Sequence, residues 1–174
     1  MIDNDAQLVE AIQQSDQEAF KVLFNKYYKP LIRFSWYRTF SMETSRDLVQ
    51  EIFFKIWLNR NKLDPNKSIK AYLYKSLTNT IINFTRLNST KTISLDSVEE
   101  GKLFNNQKDL DIKLDIQAAI ELLPEKLKTV YILSRVEGYN YKEIAGICNI
   151  TIKAVEKRMS KAFIQLRKSF SKNI

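Results

Sequence analysis

Only three glycines and three prolines occur in 174 residues, and that scarcity constrains the fold more than any other feature. Strands joined by tight turns need many positions where φ turns positive or is pre-set, and such positions are few here. Long helices with short joints are what remains. A composition of 44% apolar and 11% aromatic residues suffices to pack a core, which argues against disorder throughout. The length suits one or two compact helical units.

The apolar spacing bears this out along the chain. Leu8 and Ile12, then Phe20, Leu23, Phe24 and Tyr27, mark two helices whose starts are favoured by Asp5 and Asp16. Lys29-Pro30 is expected to break or kink the second, with Leu31, Phe34 and Tyr37 or Arg38 continuing on a new face. Ser41 and Thr44 cap a strong amphipathic helix to about Asn61, with Leu48, Ile52, Ile56 and Trp57 on its apolar side. After a loop at Asp64-Pro65, Ser68 opens a helix through Tyr72, Leu73, Leu77, Ile81 and Phe84 that ends near Asn88.

From there the chain turns to Ser, Thr, Asn, Lys and acidic residues without sustained periodicity, the character of a linker. The last third is regular again. Ile112, Ile116, Ala119, Ile120 and Leu123 mark one helix, and Pro124 opens a second through Leu127, Val130, Tyr131 and Val136. Gly138 is placed to end that helix in the left-handed region, and Asn140 to cap the next. Gly146 to Ile150 read as the joint to a final helix opened by Thr151.

Charge is unevenly spread. Residues 1–20 carry five acids and no base, whereas 21–92 carry fourteen bases against four acids; 93–125 carry eight acids and three bases, and 151–174 seven bases and one acid. Two basic blocks flanking an acidic one suggest two separate polyanion contacts. A short helix, a tight joint and a longer helix with bases at 153, 157, 158, 161 and 168 match a helix-turn-helix that reads a major groove. Ile144, Ala145, Ile150, Val155 and Met159 would pack inward, leaving Thr151, Lys153, Glu156, Lys157, Arg158 and Lys161 to meet base edges and phosphates. A solvated basic face on a helical hairpin is the competing reading.

At these residues the chain resembles the extracytoplasmic-function, or group IV, sigma factors of bacterial RNA polymerase, members of the sigma-70 family. Asp47-Leu48-Val49-Gln50-Glu51-Ile52-Phe53 followed by Trp57 is similar to the signature of sigma region 2, and Ile69 to Asn79 to the adjoining promoter-melting segment. Leu123 to Leu127 and Glu137 to Ala145 look like the lead-in to the region 4 helix-turn-helix, and Ile150 to Lys161 is closest in character to members from the Bacteroidetes branch. The resemblance implies an all-α protein: region 2 at 1–88, a flexible linker at 89–109 and region 4 at 110–174. It also implies the partners, which are core polymerase (the largest-subunit coiled coil and the flap), promoter DNA, and an anti-sigma factor that is often membrane-anchored.

Residue by residue, the resemblance assigns Asp47, Gln50, Glu51 and Phe54 to polymerase docking. Lys70, Tyr72, Tyr74, Lys75, Asn79, Asn83 and Arg86 go to the −10 element and the Thr151 to Lys161 set to the −35 element. Helical spacing independently joins Tyr72, Lys75, Asn79, Asn83 and Arg86 into one polar and aromatic stripe suited to a separated strand. The loop of about Lys62 to Lys67 would hold an extruded base, as the family does. Glu156 stands where many relatives carry a base; an acid accepts from cytosine rather than donating to guanine, so their promoter sequence does not transfer.

Catalysis is not expected. The chain has no histidine, no glycine-rich phosphate loop and no cysteine cluster, so neither a metal nor another cofactor is called for, and Asp109, Asp111 and Asp115 read as helix N-terminal charge. Its single cysteine, Cys148, and the lack of a signal peptide or an apolar span fit the cytoplasm without membrane insertion. The competing function is an ordinary helix-turn-helix regulator, which would use residues 1–90 to sense or dimerise.

Overall fold

The computed structural model describes residues 4–88 and 118–170, and the proposed linker at 89–109 lies outside them. Among the described residues the elements are helices: α1 (Asp5–Gln13), α2 (Gln17–Thr39), α3 (Met42–Leu58), a 3-10 turn at Arg60–Lys62, and α4 (Ile69–Asn88). After the gap come a helical turn at 118–121, α5 (Glu125–Arg135), α6 (Tyr141–Cys148) and α7 (Ile152–Phe170).

Side-chain caps set most of the starts. Asn4 accepts from Ala6 N, Asp16 from Glu18 N and Ala19 N, and Ser41 from Thr44 N, while the Ser68 hydroxyl accepts from Ala71 N. Asn140 and Glu143 form a reciprocal capping box at the start of α6. The turn into α7 is left-handed at Asn149, with φ of 51°, rather than at Gly146, which remains inside α6. The joint is therefore shorter than Gly146 to Ile150, because asparagine enters the left-handed region more readily than other residues with a side chain. Gly138 does adopt positive φ, 75°, and lets Tyr139 N reach back to the Leu133 carbonyl.

Pro30 does not break the helix: α2 runs from Gln17 to Thr39 with the proline inside it. Leu23, Tyr27, Leu31 and Phe34 are all buried at three- and four-residue spacing across that site. The burial of one continuous stripe, worth about 1.5–3 kcal/mol per large side chain, outweighs the roughly 3 kcal/mol a mid-helix proline costs.

Around α2 pack α1, α3 and α4. Leu8, Ile12, Leu23, Leu31, Phe34, Ile52, Ile56, Leu73, Leu77 and Ile81 fill the interior, and Phe20 and Phe24 meet Phe53 and Trp57 edgewise or tilted on its flank. The same cluster continues without interruption into Ile132, Leu133, Ile144, Val155 and Met159 of the C-terminal half. A smaller cluster of Ala119, Leu123, Leu127, Ala162 and Leu166 ties α5 to α7. In this state the two halves share one core.

Candidate nucleic-acid interface

Begin with α4. Tyr72, Lys75, Asn79, Asn83 and Arg86 are all exposed, so the stripe expected from spacing exists on the surface, with Tyr72 44% exposed. Beside it, Lys62, Asp64, Lys67, Ser68 and Tyr72 border an open depression of about 490 Å³. Asp64 shapes this rim: it accepts from Asn66 N at 3.0 Å and pairs with Lys67 at 3.2 Å. Those hydrogen bonds, the one from Asn66 N first, hold its carboxyl below the usual carboxylate range. Such an arrangement offers an aromatic platform, amides and cations to an unstacked base.

Tyr74 corrects the sequence reading. Two residues from Tyr72 it lies about 200° round the helix, on the face of Leu77 and Ile81, and is 1% exposed. Its ring meets Phe34 and Tyr139 edge-on, and its hydroxyl is 3.2 Å from that of Tyr139. Burial is the main cause that pushes its phenol far above the usual value. Lys70, one turn earlier, is half-buried, with its ammonium 3.7 Å from the centre of the Tyr139 ring and 3.5 Å from Glu143. The stripe therefore excludes Tyr74, and Lys70 faces the C-terminal half.

On α3 the residues at 47, 50, 51, 54 and 58 recur at one face, and all are exposed. Phe54 is 62% and Leu58 59% exposed, beside the carboxylates of Asp47 and Glu51, the latter paired with Lys55. Large apolar groups left open on a helix otherwise able to bury them suit a protein partner.

In the C-terminal half, α6 and α7 pack on each other with Ile144, Ala145, Val155 and Met159 buried. Thr151, Lys153, Glu156, Lys157 and Lys161 are exposed, and Arg158 is half-buried. Thr151 caps α7 by accepting from Ala154 N at 3.2 Å. Cys148 is half-buried, and that burial pushes its thiol up despite nearby Arg158.

Sequence reasoning missed the contacts between the halves. Arg33 of α2 donates through Nε and Nη2 to the two carboxylate oxygens of Glu137, at 2.7 and 2.8 Å. That chelation, above all its hydrogen bonds, holds the Arg33 guanidinium above its usual value. Arg38, buried on the same helix, donates to Glu125 and, at 2.9 Å, to the Thr129 hydroxyl of α5. Burial pushes its guanidinium down against the pull of Glu125, yet guanidinium groups stay protonated in proteins.

Residues 23–90 match the family described as sigma-70 region 2, and residues 113–166 that described as sigma-70, region 4. The chain is similar to the ECF RNA polymerase sigma-E factor of Haemophilus influenzae, 27% identical over 91% of this chain and 90% of that protein. It is 25% identical to the ECF RNA polymerase sigma factor SigW of Bacillus subtilis, over 92% of this chain and 93% of SigW. In fold it is similar to CnrH, solved in complex with the cytosolic domain of CnrY, with a TM-score of 0.76 and 20% identity over 99% of this chain and all of that one. A second solved likeness is the sigma factor RpoE from Bartonella quintana, in complex with the anti-sigma factor NepR, with a TM-score of 0.66 and 20% identity over 87% of this chain and 96% of that one. With both conserved regions matched in order, the chain belongs to the sigma-70 family, as an extracytoplasmic-function RNA polymerase sigma factor.

Proposed function

We propose that this chain docks on core RNA polymerase through Asp47, Gln50, Glu51 and Phe54, and divides promoter recognition between its two halves. The observation that carries the reading is the pairing, in one chain, of an exposed strand-facing stripe on α4 with an exposed basic face on α7. A regulator that binds duplex DNA needs only the second.

Tyr72, Lys75, Asn79, Asn83 and Arg86 engage the −10 element as it opens, and the depression bordered by Lys62, Lys67 and Tyr72 receives an extruded base. Stacking worth about 1–3 kcal/mol per base offsets the few kcal/mol spent on unpairing. Thr151, Lys153, Glu156, Lys157, Arg158 and Lys161 engage the −35 element in the major groove. The corresponding units are 1–88 and 110–174, joined by 89–109.

The chain performs no covalent chemistry of its own and acts in the cytoplasm; no described helix is long and apolar enough to cross a membrane. An anti-sigma factor holds it inactive; the structurally similar sigma factor RpoE of Bartonella quintana was solved in complex with the anti-sigma factor NepR. Membrane anchoring of that partner follows from the family resemblance. Titrating the full chain onto core polymerase tests the docking face: Asp47→Ala with Gln50→Ala weakens binding if the assignment holds. Unchanged affinity refutes it.

A further inference from the structure

The segment that leads from α3 into α4 is tied down by residues far from it in sequence. Gln13, the last residue of α1, donates from Nε2 to the Leu63 carbonyl at 2.7 Å. Arg60, in the 3-10 turn, donates from Nε to the Ser15 hydroxyl at 3.0 Å and from Nη1 to the Trp57 carbonyl at 2.9 Å. Its guanidinium also stands 4.8 Å from the centre of the Trp57 ring, which packs on Phe20 of α2. Ser15 is itself in the left-handed region, with φ of 67°. A residue with a side chain keeps that conformation only where its surroundings hold it there.

These contacts reach the rim of the depression bordered by Lys62, Leu63, Asp64 and Tyr72. A peptide unit is planar, so a hydrogen bond on the Leu63 carbonyl also sets the plane of the Asp64 N–H. Pro65 then restricts Asp64 to extended backbone, and Lys67 N closes the turn on the Asp64 carbonyl at 3.0 Å. The orientation fixed at Leu63 is thus passed along the rim to Lys67. Leu8, Val9 and Ile12 bury α1 in the core, so the helix keeps its place without the Gln13 amide. Gln13 and Ser15 also precede the stretch 23–90 that matches sigma-70 region 2, and that match assigns them nothing.

We propose that Gln13 is a positioning residue for base capture: by fixing Leu63, with Arg60 on Ser15 beside it, the end of α1 holds the rim of the depression in the shape that receives an extruded base. The inference rests on the reading of that depression as the base-holding site. A rim fixed in advance avoids the ordering cost that a loose rim would incur as the base enters. One neutral hydrogen bond of this kind shifts an equilibrium roughly two- to tenfold.

The test is binding of holoenzyme to a single-stranded oligonucleotide carrying the −10 sequence it selects from a randomised library, with each base replaced in turn by an abasic site. Gln13→Met keeps the length of the side chain and removes the donor, whereas Gln13→Lys keeps a donor of similar reach. On the intact strand Gln13→Met is expected to bind roughly two- to tenfold more weakly than wild type, and Gln13→Lys close to wild type. On the strand that is abasic at the captured position all three bind alike, because the rim has no base to hold, and all three share one affinity for core polymerase. Equal affinities of wild type and Gln13→Met on the intact strand overturn the positioning role. So does a Gln13→Met loss that persists undiminished on the abasic strand, the mark of a general effect on the fold. If no abasic substitution weakens binding of the wild type, the base-holding reading of the depression falls instead.

Discussion

Arg33 and Glu137, 104 residues apart in sequence, meet in a bidentate pair whose two hydrogen bonds measure 2.7 and 2.8 Å. With Arg38 on Glu125 and Thr129, this contact joins two halves whose apolar core cluster runs from α1 through to α7. Arg33 and Arg38 of α2 are engaged by the C-terminal half, whereas the outer face of α3 and the outer stripe of α4 stay open.

Phe54 gives the cleanest test of docking. The residue is 62% exposed, so Phe54→Ala changes thermal stability by less than about 0.5 kcal/mol. Binding to core polymerase weakens on the order of tenfold or more, about 1.4 kcal/mol or above, as for an aromatic anchor at an interface centre. Fluorescence titration of labelled protein onto core polymerase measures it.

Tyr72 and Tyr74 should separate function from packing. Tyr72→Ala removes a stacking platform and lowers open-complex formation by about 1–3 kcal/mol, roughly 5- to 150-fold, with little change in melting temperature. Tyr74→Ala empties a buried site between Phe34 and Tyr139 and destabilises the fold by about 3–5 kcal/mol. Permanganate footprinting and calorimetry on the two variants give the contrast.

At the recognition helix, Glu156→Arg converts an acceptor into a bidentate donor on an exposed position. One base pair of the selected −35 sequence shifts from cytosine to guanine on the contacted strand, with discrimination of about 1–3 kcal/mol. Selection from a randomised duplex library with each holoenzyme reads it directly.

Asp64 links pH to the base-holding loop. Its carboxyl sits below the usual range because its charged form accepts from Asn66 N and pairs with Lys67. A depressed carboxyl contributes order that is fully present above the unfolded value and is lost as pH falls through the folded one. The amide resonance of Asn66 therefore stays put across neutral pH and moves only below the ordinary carboxylate range, whereas in Asp64→Asn it shows no such transition.

How far the sequence speaks depends on the range of the interaction. Caps at Asp16, Ser41, Ser68, Asn140 and Thr151 are local hydrogen bonds, and the motifs that reveal them sit within three residues. The α4 stripe is equally legible, since helical spacing alone sorts Tyr72 from Leu73. Pro30 misleads because a local rule lost to a buried stripe that only tertiary packing completes. Tyr74 misleads because tyrosine suits both core and DNA, and the Tyr139 that covers it is distant in sequence. The alternation of basic and acidic blocks does not reveal the cross-half ion pairs: of their acids only Glu125 falls in the acidic stretch 93–125, while Glu137 and Glu143 lie beyond it.

Transcription initiation by reconstituted holoenzyme tests the central claim most directly. Purified chain and core polymerase, offered a library of promoter sequences, are expected to yield run-off transcripts from a subset sharing two spaced elements, with Tyr72→Ala failing at opening rather than at docking. Absence of transcripts from every sequence, with the chain binding duplex DNA by itself, would contradict the account and leave a helix-turn-helix regulator in its place.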